Sequence, residues 1–217
     1  MPEFAPDLKP RLRGVLHQWA CVCSVPLGLV LVIGAGTTPA RIALSVYALS
    51  LMGLFGASAL YHRVSWRSVT TRGWMRRLDH SMIFVLIAGS YTPFAVLALH
   101  GPLAIAILAG VWAGALLGLV INLVWSDAPR WLHALLYVTL GWVAVAALPQ
   151  LAGAIGVGGM ILLGLGGVLY TPGAIIYAVK RPDPIPSVFG YHEVFHTLVI
   201  AAATLQCAVI AFWILPA

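Results

Sequence analysis

The chain has 217 residues, of which 61% are hydrophobic and only 8% are charged, and its mean hydropathy is +0.98. Soluble domains carry about 25% charged residues, so a water-facing surface cannot be built from so few charges, and a disordered chain is excluded for the same reason. The net charge is +6, but basic residues spread along an apolar chain form no stripe that would bind nucleic acid. The composition indicates an all-α, polytopic membrane protein.

The distribution of charge predicts the number of helices. Stretches without Asp, Glu, Lys or Arg cover residues 14–40, 42–62, 80–126, 131–179 and 194–217. A span needs about 20 apolar residues, so the third and fourth stretches are each two spans long. Turn residues break them at His100-Gly101-Pro102 and at Pro149-Gln150 with Gly153. The chain is therefore predicted to be a single seven-transmembrane domain over residues 1–217, with helices at 15–35, 41–62, 80–99, 103–124, 131–148, 154–179 and 192–213.

Basic residues predict the orientation of this bundle. Eleven of the twelve fall in the N-terminal tail or in the connections on that same side, and Arg41 alone falls on the other side. Positively charged connections stay in the cytoplasm. The N-terminus is therefore predicted to be cytoplasmic and the C-terminus to lie outside. The apolar run after the tail is too long for a signal peptide, whose core is about 7–15 residues, so a retained first span is expected.

Two histidines at the start of the seventh helix form the most informative motif. His192 and His196 stand four residues apart around Glu193, and this spacing puts both rings on one helix face, where they could bind one metal ion. The pattern H-E-x-x-H occurs in metalloproteases, but here the helix continues directly into an apolar span, which excludes a soluble protease. The alternative is a pair of interfacial histidines beside a loop.

Residues on two other helices could complete such a site. Catalytic zinc usually has three protein ligands and a water, and His62, at the same membrane depth, is the best third candidate. Ser58 lies one turn deeper on the same face, although a serine within a helix often bonds to a backbone carbonyl. Asp79 opens the predicted third helix, either as an N-cap or as a carboxylate that deprotonates the water. His17, His133 and His100 are interpreted as interfacial side chains that reach the headgroup layer.

These motifs resemble a known family. Ser58-Ala59-Leu60-Tyr61-His62, Leu78-Asp79-His80-Ser81-Met82-Ile83-Phe84 and His192-Glu193-Val194-Phe195-His196 are similar to the signatures of the hemolysin III family, the bacterial branch of the progestin and adipoQ receptor family. Arg13-Gly14 followed by His17 also fits its N-terminal pattern. The likeness covers nearly the whole chain, and it implies a multi-pass protein of the bacterial plasma membrane.

The resemblance also implies a chemistry. It implies Zn2+ near the cytoplasmic face, bound by His62, His192 and His196, with Asp79 contacting the water on the metal and Ser58 as a nearby helper. Related receptors and alkaline ceramidases suggest hydrolysis of a lipid amide or ester, with Glu193 as a competing base. A membrane lipid is then the expected substrate or ligand, and no specific protein partner is predicted. The alternatives are a pore-forming cytolysin, which the lack of ionisable residues at mid-span disfavours, and a receptor or sensor of membrane state with structural zinc.

Overall fold

Seven α-helices account for most of residues 9–125 and 128–215, which the computed structural model describes. They are α1 (Val15–Gly34), α2 (Thr38–Arg63), α3 (Val69–Leu97), α4 (Gly101–Val124), α5 (Arg130–Gly141), α6 (Leu148–Val179) and α7 (Tyr191–Val209). A 3-10 helix, Trp142–Ala147, joins α5 to α6, and a π-helix, Ile210–Ile214, extends α7. These described residues contain no β-strand, so the predicted all-α class is confirmed.

Six helical stretches of the described chain are candidate membrane spans. Five of them contain a single α-helix each (α1, α2, α3, α4 and α7), and the sixth is the 50-residue stretch Arg130–Val179, which contains α5 and α6. All six are long and apolar enough to cross a bilayer of about 30 Å. The prediction of a membrane protein with several apolar helices is confirmed.

The third helix begins earlier than its charge pattern predicts. It starts at Val69 instead of residue 80, with the hydroxyl of Ser68 accepting a hydrogen bond from the backbone N–H of Thr71. The N-cap interpretation of Asp79 is therefore wrong, because Asp79 lies in the third turn of α3. The charge pattern predicts a connection at the arginines before Asp79, whereas Arg72, Arg76 and Arg77 lie on α3.

The boundary between the fifth and sixth helices also differs from its prediction. Pro149 was expected to lie in a break, but it occupies the first turn of α6, where its missing N–H and fixed φ are tolerated. The α-helix instead gives way to the 3-10 helix at Trp142–Ala147. Further on, the backbone of Gly156 (φ 59°, ψ −173°) leaves the helical conformation and kinks α6. Only glycine adopts such a backbone conformation readily, so the irregularity follows the glycine and not the proline.

Helix packing brings one end of several helices together. α2 packs against α1 and α3, α6 packs against α7, and α7 also contacts α1. Small residues allow the close contacts, since a Cβ added to Gly28 of α1 would lie 2.8 Å from the Cβ of Ala48 on α2. As a result, the starts of α1, α3 and α7 and the end of α2 meet in one region.

Candidate metal centre

Three buried histidines form a cluster at the end of α2 and the start of α7. His62 lies in the last turn of α2, and His192 and His196 lie in the first two turns of α7. One nitrogen of each lies within 4.8 Å of the other two, and the Nε2 atoms of His62 and His192 are 3.1 Å apart. Nitrogens bound tetrahedrally to zinc at 2.0–2.1 Å are about 3.3 Å apart. The His62–His192 separation is close to that value, and no separation within the cluster exceeds 4.8 Å.

The chemistry of these donors also fits a metal. Neutral imidazoles are ordinary zinc ligands, and all three rings are buried. The Nδ1 atom of His196 has no hydrogen-bond partner among the described residues, although buried polar atoms are normally satisfied. The three residues that were predicted as ligands from the sequence are therefore brought together, in a form that could hold Zn2+.

Asp79 and Ser58 lie beside the histidine cluster. The Oδ2 atom of Asp79 is 3.8 Å from Nε2 of His62 and 3.6 Å from Nδ1 of His80. Ser58 is one helical turn before His62, is 1% exposed, and its Oγ makes no hydrogen bond of 3.5 Å or less with the described residues. The carboxylate and the hydroxyl thus line the same cavity as His192 and His196.

Glu193 is committed to other contacts. Its Oε1 atom accepts a hydrogen bond from Nε of Arg13, and its Oε2 atom accepts one from the backbone N–H of Gly190 at 2.9 Å. Glu193 is 0% exposed. The sequence left open whether Asp79 or Glu193 could act as the base, and these contacts favour Asp79 because both oxygens of Glu193 are already occupied.

His80, the neighbour of Asp79 on α3, is held in place by hydrogen bonds to tyrosines of α5 and α6. The Nδ1 atom of His80 lies 2.7 Å from the backbone oxygen of Arg76, which can only accept, so this nitrogen carries the proton. In the neutral ring, Nε2 of His80 accepts from the hydroxyl of Tyr177 at 2.8 Å, and the hydroxyl of Tyr137 donates to the His80 carbonyl. No local sequence pattern links these tyrosines to the site, because only tertiary packing brings them to His80.

Two histidines that were interpreted as interfacial are buried inside the protein. His17 is 2% exposed, and its ring stacks on that of His196 with the centroids 3.7 Å apart and the planes 11° apart. His133 is also buried, with its ring 6.3 Å from that of His80. The interfacial interpretation is wrong for both. The motif Arg13-Gly14 followed by His17 was the signal that could have linked His17 to the site.

An elongated cavity of about 230 Å3 leads away from the cluster. Polar side chains line one end, among them Ser58, Asp79, His192 and His196, whereas the rest is mostly apolar and reaches Phe94. Asp79 and Phe94 are 15 residues apart on α3, which corresponds to about 22 Å. The cavity therefore combines a polar end with a long apolar channel.

Basic side chains gather around the same end of the molecule. Burial and the nearby guanidinium groups of Arg63, Arg13 and Arg72 lower the pKa of Lys9. Arg130 donates to the hydroxyl of Tyr191 and lies over the ring of Tyr177. A positive surface of this kind attracts anionic groups.

Comparison with known proteins identifies the family. A family profile described as "Haemolysin-III related" matches residues 7–207. The chain belongs to the haemolysin-III-related family. Hemolysin-3 of Bacillus cereus is 31% identical over 207 residues, which is 94% of this chain and 91% of that protein. The Hemolysin-3 homolog of Bacillus subtilis (strain 168) is 30% identical over 204 residues, or 93% and 92% of the two chains.

A more distant relative extends the family beyond bacteria. The adiponectin receptor protein of Drosophila melanogaster is 27% identical over 211 residues, which covers 86% of this chain and 46% of that receptor. The predicted membership of the hemolysin III branch, with relatives among progestin and adipoQ receptors, is confirmed.

Proposed function

We propose that this haemolysin-III-related protein is a zinc-dependent hydrolase of a lipid amide or ester, with its site at the cytoplasmic face of the bacterial plasma membrane. The observation that carries the proposal is the meeting of His62, His192 and His196, with nitrogens within 4.8 Å of one another. His192, His196 and Asp79 line the polar end of a long, mostly apolar cavity.

The proposed topology has seven crossings, with the N-terminus inside and the C-terminus outside. The starts of α1 and α7 lie at the same end, since Arg13 pairs with Glu193 and His17 stacks on His196. In the proposed topology an even number of crossings separates them. Arg130–Val179 then crosses twice, which its 50 residues allow. Residues near its two ends, His133 and Tyr177, both lie beside His80, which supports the same parity.

His62, His192 and His196 would hold the metal as neutral ligands, each through one ring nitrogen. When bound, Zn2+ acts as a Lewis acid that can polarise a carbonyl oxygen, and it can lower the pKa of water to about 7. Asp79 is the general base in this proposal. Its Oδ2 atom, 3.8 Å from His62, would accept the proton of the attacking water and return it to the leaving amine or alcohol. Ser58 would donate its hydroxyl to the substrate.

The shape of the cavity supports a lipid as the substrate. An acyl chain would lie in the apolar channel, and its carbonyl would reach the polar end between Asp79 and the histidines. An acyl chain in the channel would displace water from the cavity, and the lower local dielectric would strengthen the electrostatic interactions at the polar end. The basic residues around the same end would hold the polar part of the lipid near the membrane surface. No specific protein partner is needed for this reaction.

Turnover of a lipid amide tests the proposal. Purified protein in liposomes is mixed with a fluorescent N-acyl sphingosine, and release of the fatty acid is measured for wild type and for Asp79→Asn. We expect turnover by wild type that is lost with a zinc chelator and falls at least a hundredfold in D79N, the range expected of a lost general base. His133→Leu serves as the control, because His133 lies outside the ligand cluster.

The result separates the proposed enzyme from other roles. Equal turnover by wild type and D79N would remove Asp79 from the mechanism. Bound zinc without turnover of either amide or ester probes would contradict hydrolysis and favour a receptor or sensor with structural zinc.

A further inference from the structure

His17 reaches the proposed metal site from α1, a helix that contributes none of its three ligands. It is fixed there by the segment that precedes it. The backbone N–H groups of Arg11 and Leu12 donate to the carbonyls of Ser187 and Val188, and Arg13 pairs with Glu193. The start of α1 is thereby tied to the start of α7, the helix that carries two of the ligands.

Gly14 allows the close approach that this arrangement needs. It has φ of +79°, and a Cβ at this position would lie 2.6 Å from the Cβ of His62. Only glycine adopts this conformation without cost and also leaves room for His62. One helical turn later, His17 therefore points into the cluster.

The ring of His17 lies between two helices. It stacks in parallel on His196 of α7, with centroids 3.7 Å apart, and makes a tilted contact with Phe55 of α2 at 5.1 Å. His17 is not one of the three residues whose ligand atoms lie within 4.8 Å of one another. Its contact with the site is thus through the face of its ring.

From this geometry we infer that His17 is a positioning residue that orients His196 for the metal. This rests on the proposed function, since it assumes that His196 is a ligand. The stack prevents the His196 ring from rotating, so less conformational freedom is lost when the metal binds. A bound metal ion would also withdraw electron density from the His196 ring and make it more positive. The face of the stacked His17 ring would stabilise this charge, as aromatic faces do for cations.

The experiment measures the affinity for Zn2+ alone, by competition with a chromophoric chelator, on full-length protein in detergent. His17→Leu fills most of the space but removes the aromatic ring, and His17→Phe restores a ring that can stack. His133→Leu is the matched control, a buried histidine at the same end that does not stack on a ligand. Thermal unfolding of each metal-free variant reports its stability separately.

We expect H17L to bind Zn2+ about tenfold more weakly than wild type, in the range measured for residues that orient metal ligands. H17F should bind within about threefold of wild type, and H133L should bind as wild type even if both leucine variants are equally destabilised. Wild-type affinity in H17L would overturn the inference, and so would an H17F variant as weak as H17L or an equal loss in H133L. If wild type itself binds no Zn2+, the proposed function fails, and this outcome is visible before any variant is compared.

Discussion

The ion pair between Arg13 and Glu193 gives a quantitative test of how the site is held together. The carboxylate of Glu193 is fully buried, whereas the Arg13 side chain is 18% exposed. Arg13→Met keeps the apolar stem but leaves the carboxylate with only the N–H of Gly190. Breaking a buried pair by removing one partner costs about 3–5 kcal/mol. We expect about 3 kcal/mol, because water can enter through the exposed side of Arg13.

The reverse substitution is expected to be milder. Glu193→Gln removes the buried charge and keeps an oxygen that can accept from Gly190, while Arg13 can turn toward water. Its cost is about 1–2 kcal/mol. The double variant R13M/E193Q no longer buries an unpaired charge, so it should be more stable than R13M alone, with a coupling energy of about 1–3 kcal/mol.

Thermal unfolding in detergent, followed by circular dichroism, measures these differences. One kcal/mol corresponds to about 2–4 °C in a chain of this size, so R13M should unfold about 6–12 °C below wild type. Arg11→Met, an exposed position in the same segment, should stay within about 2 °C. If R13M and E193Q lose equal stability and the double variant loses their sum, the pair is not coupled and the reasoning is refuted.

Two further predictions concern the same end of the bundle. Gly14→Ala should lower the free energy of unfolding by about 2–4 kcal/mol, because of the positive φ and the overlap of the new Cβ with His62. Gly73→Ala is the control, since its Cβ would meet nothing within 4 Å, and it should match wild type or gain up to about 1 kcal/mol. Equal unfolding temperatures for both variants would contradict this prediction. Zn2+ at 100 times its dissociation constant should stabilise wild type by about 2.7 kcal/mol. The same addition should leave the unfolding temperature of His192→Ala unchanged. A zinc-dependent shift in H192A would count against His192 as a ligand.

Much of the helical framework could be predicted from the scarcity of charge. The uncharged stretches locate α1, α2, α4 and α7 to within three residues at their starts, because an apolar run of span length has few alternatives to a helix. The start of α3 was missed because its first turns carry arginines and lie beyond the apolar run. Charge marks where an apolar segment ends, but a helix can continue past that point.

The candidate site was predictable to the extent that its residues share local motifs. His192 and His196 follow from i, i+4 spacing, and His62, Ser58 and Asp79 follow from their places at helix ends on the same side of the bundle. The resemblance to the hemolysin III family implies the same set. The contacts of Glu193 and the stacking of His17 could not be predicted, because both depend on how the start of α1 packs against α7. That packing in turn requires Gly14 at a positive φ, which the spacing of residues does not reveal.

The zinc content of the purified protein tests the central claim most directly. Inductively coupled plasma mass spectrometry is applied to wild type, to His62→Ala, His192→Ala and His196→Ala, and to the control His133→Ala, all after the same dialysis. The account predicts about one zinc per chain in wild type and in the control, and near-complete loss in each of the three ligand variants. Zinc retained in all three variants, or absent from the wild type, would contradict it.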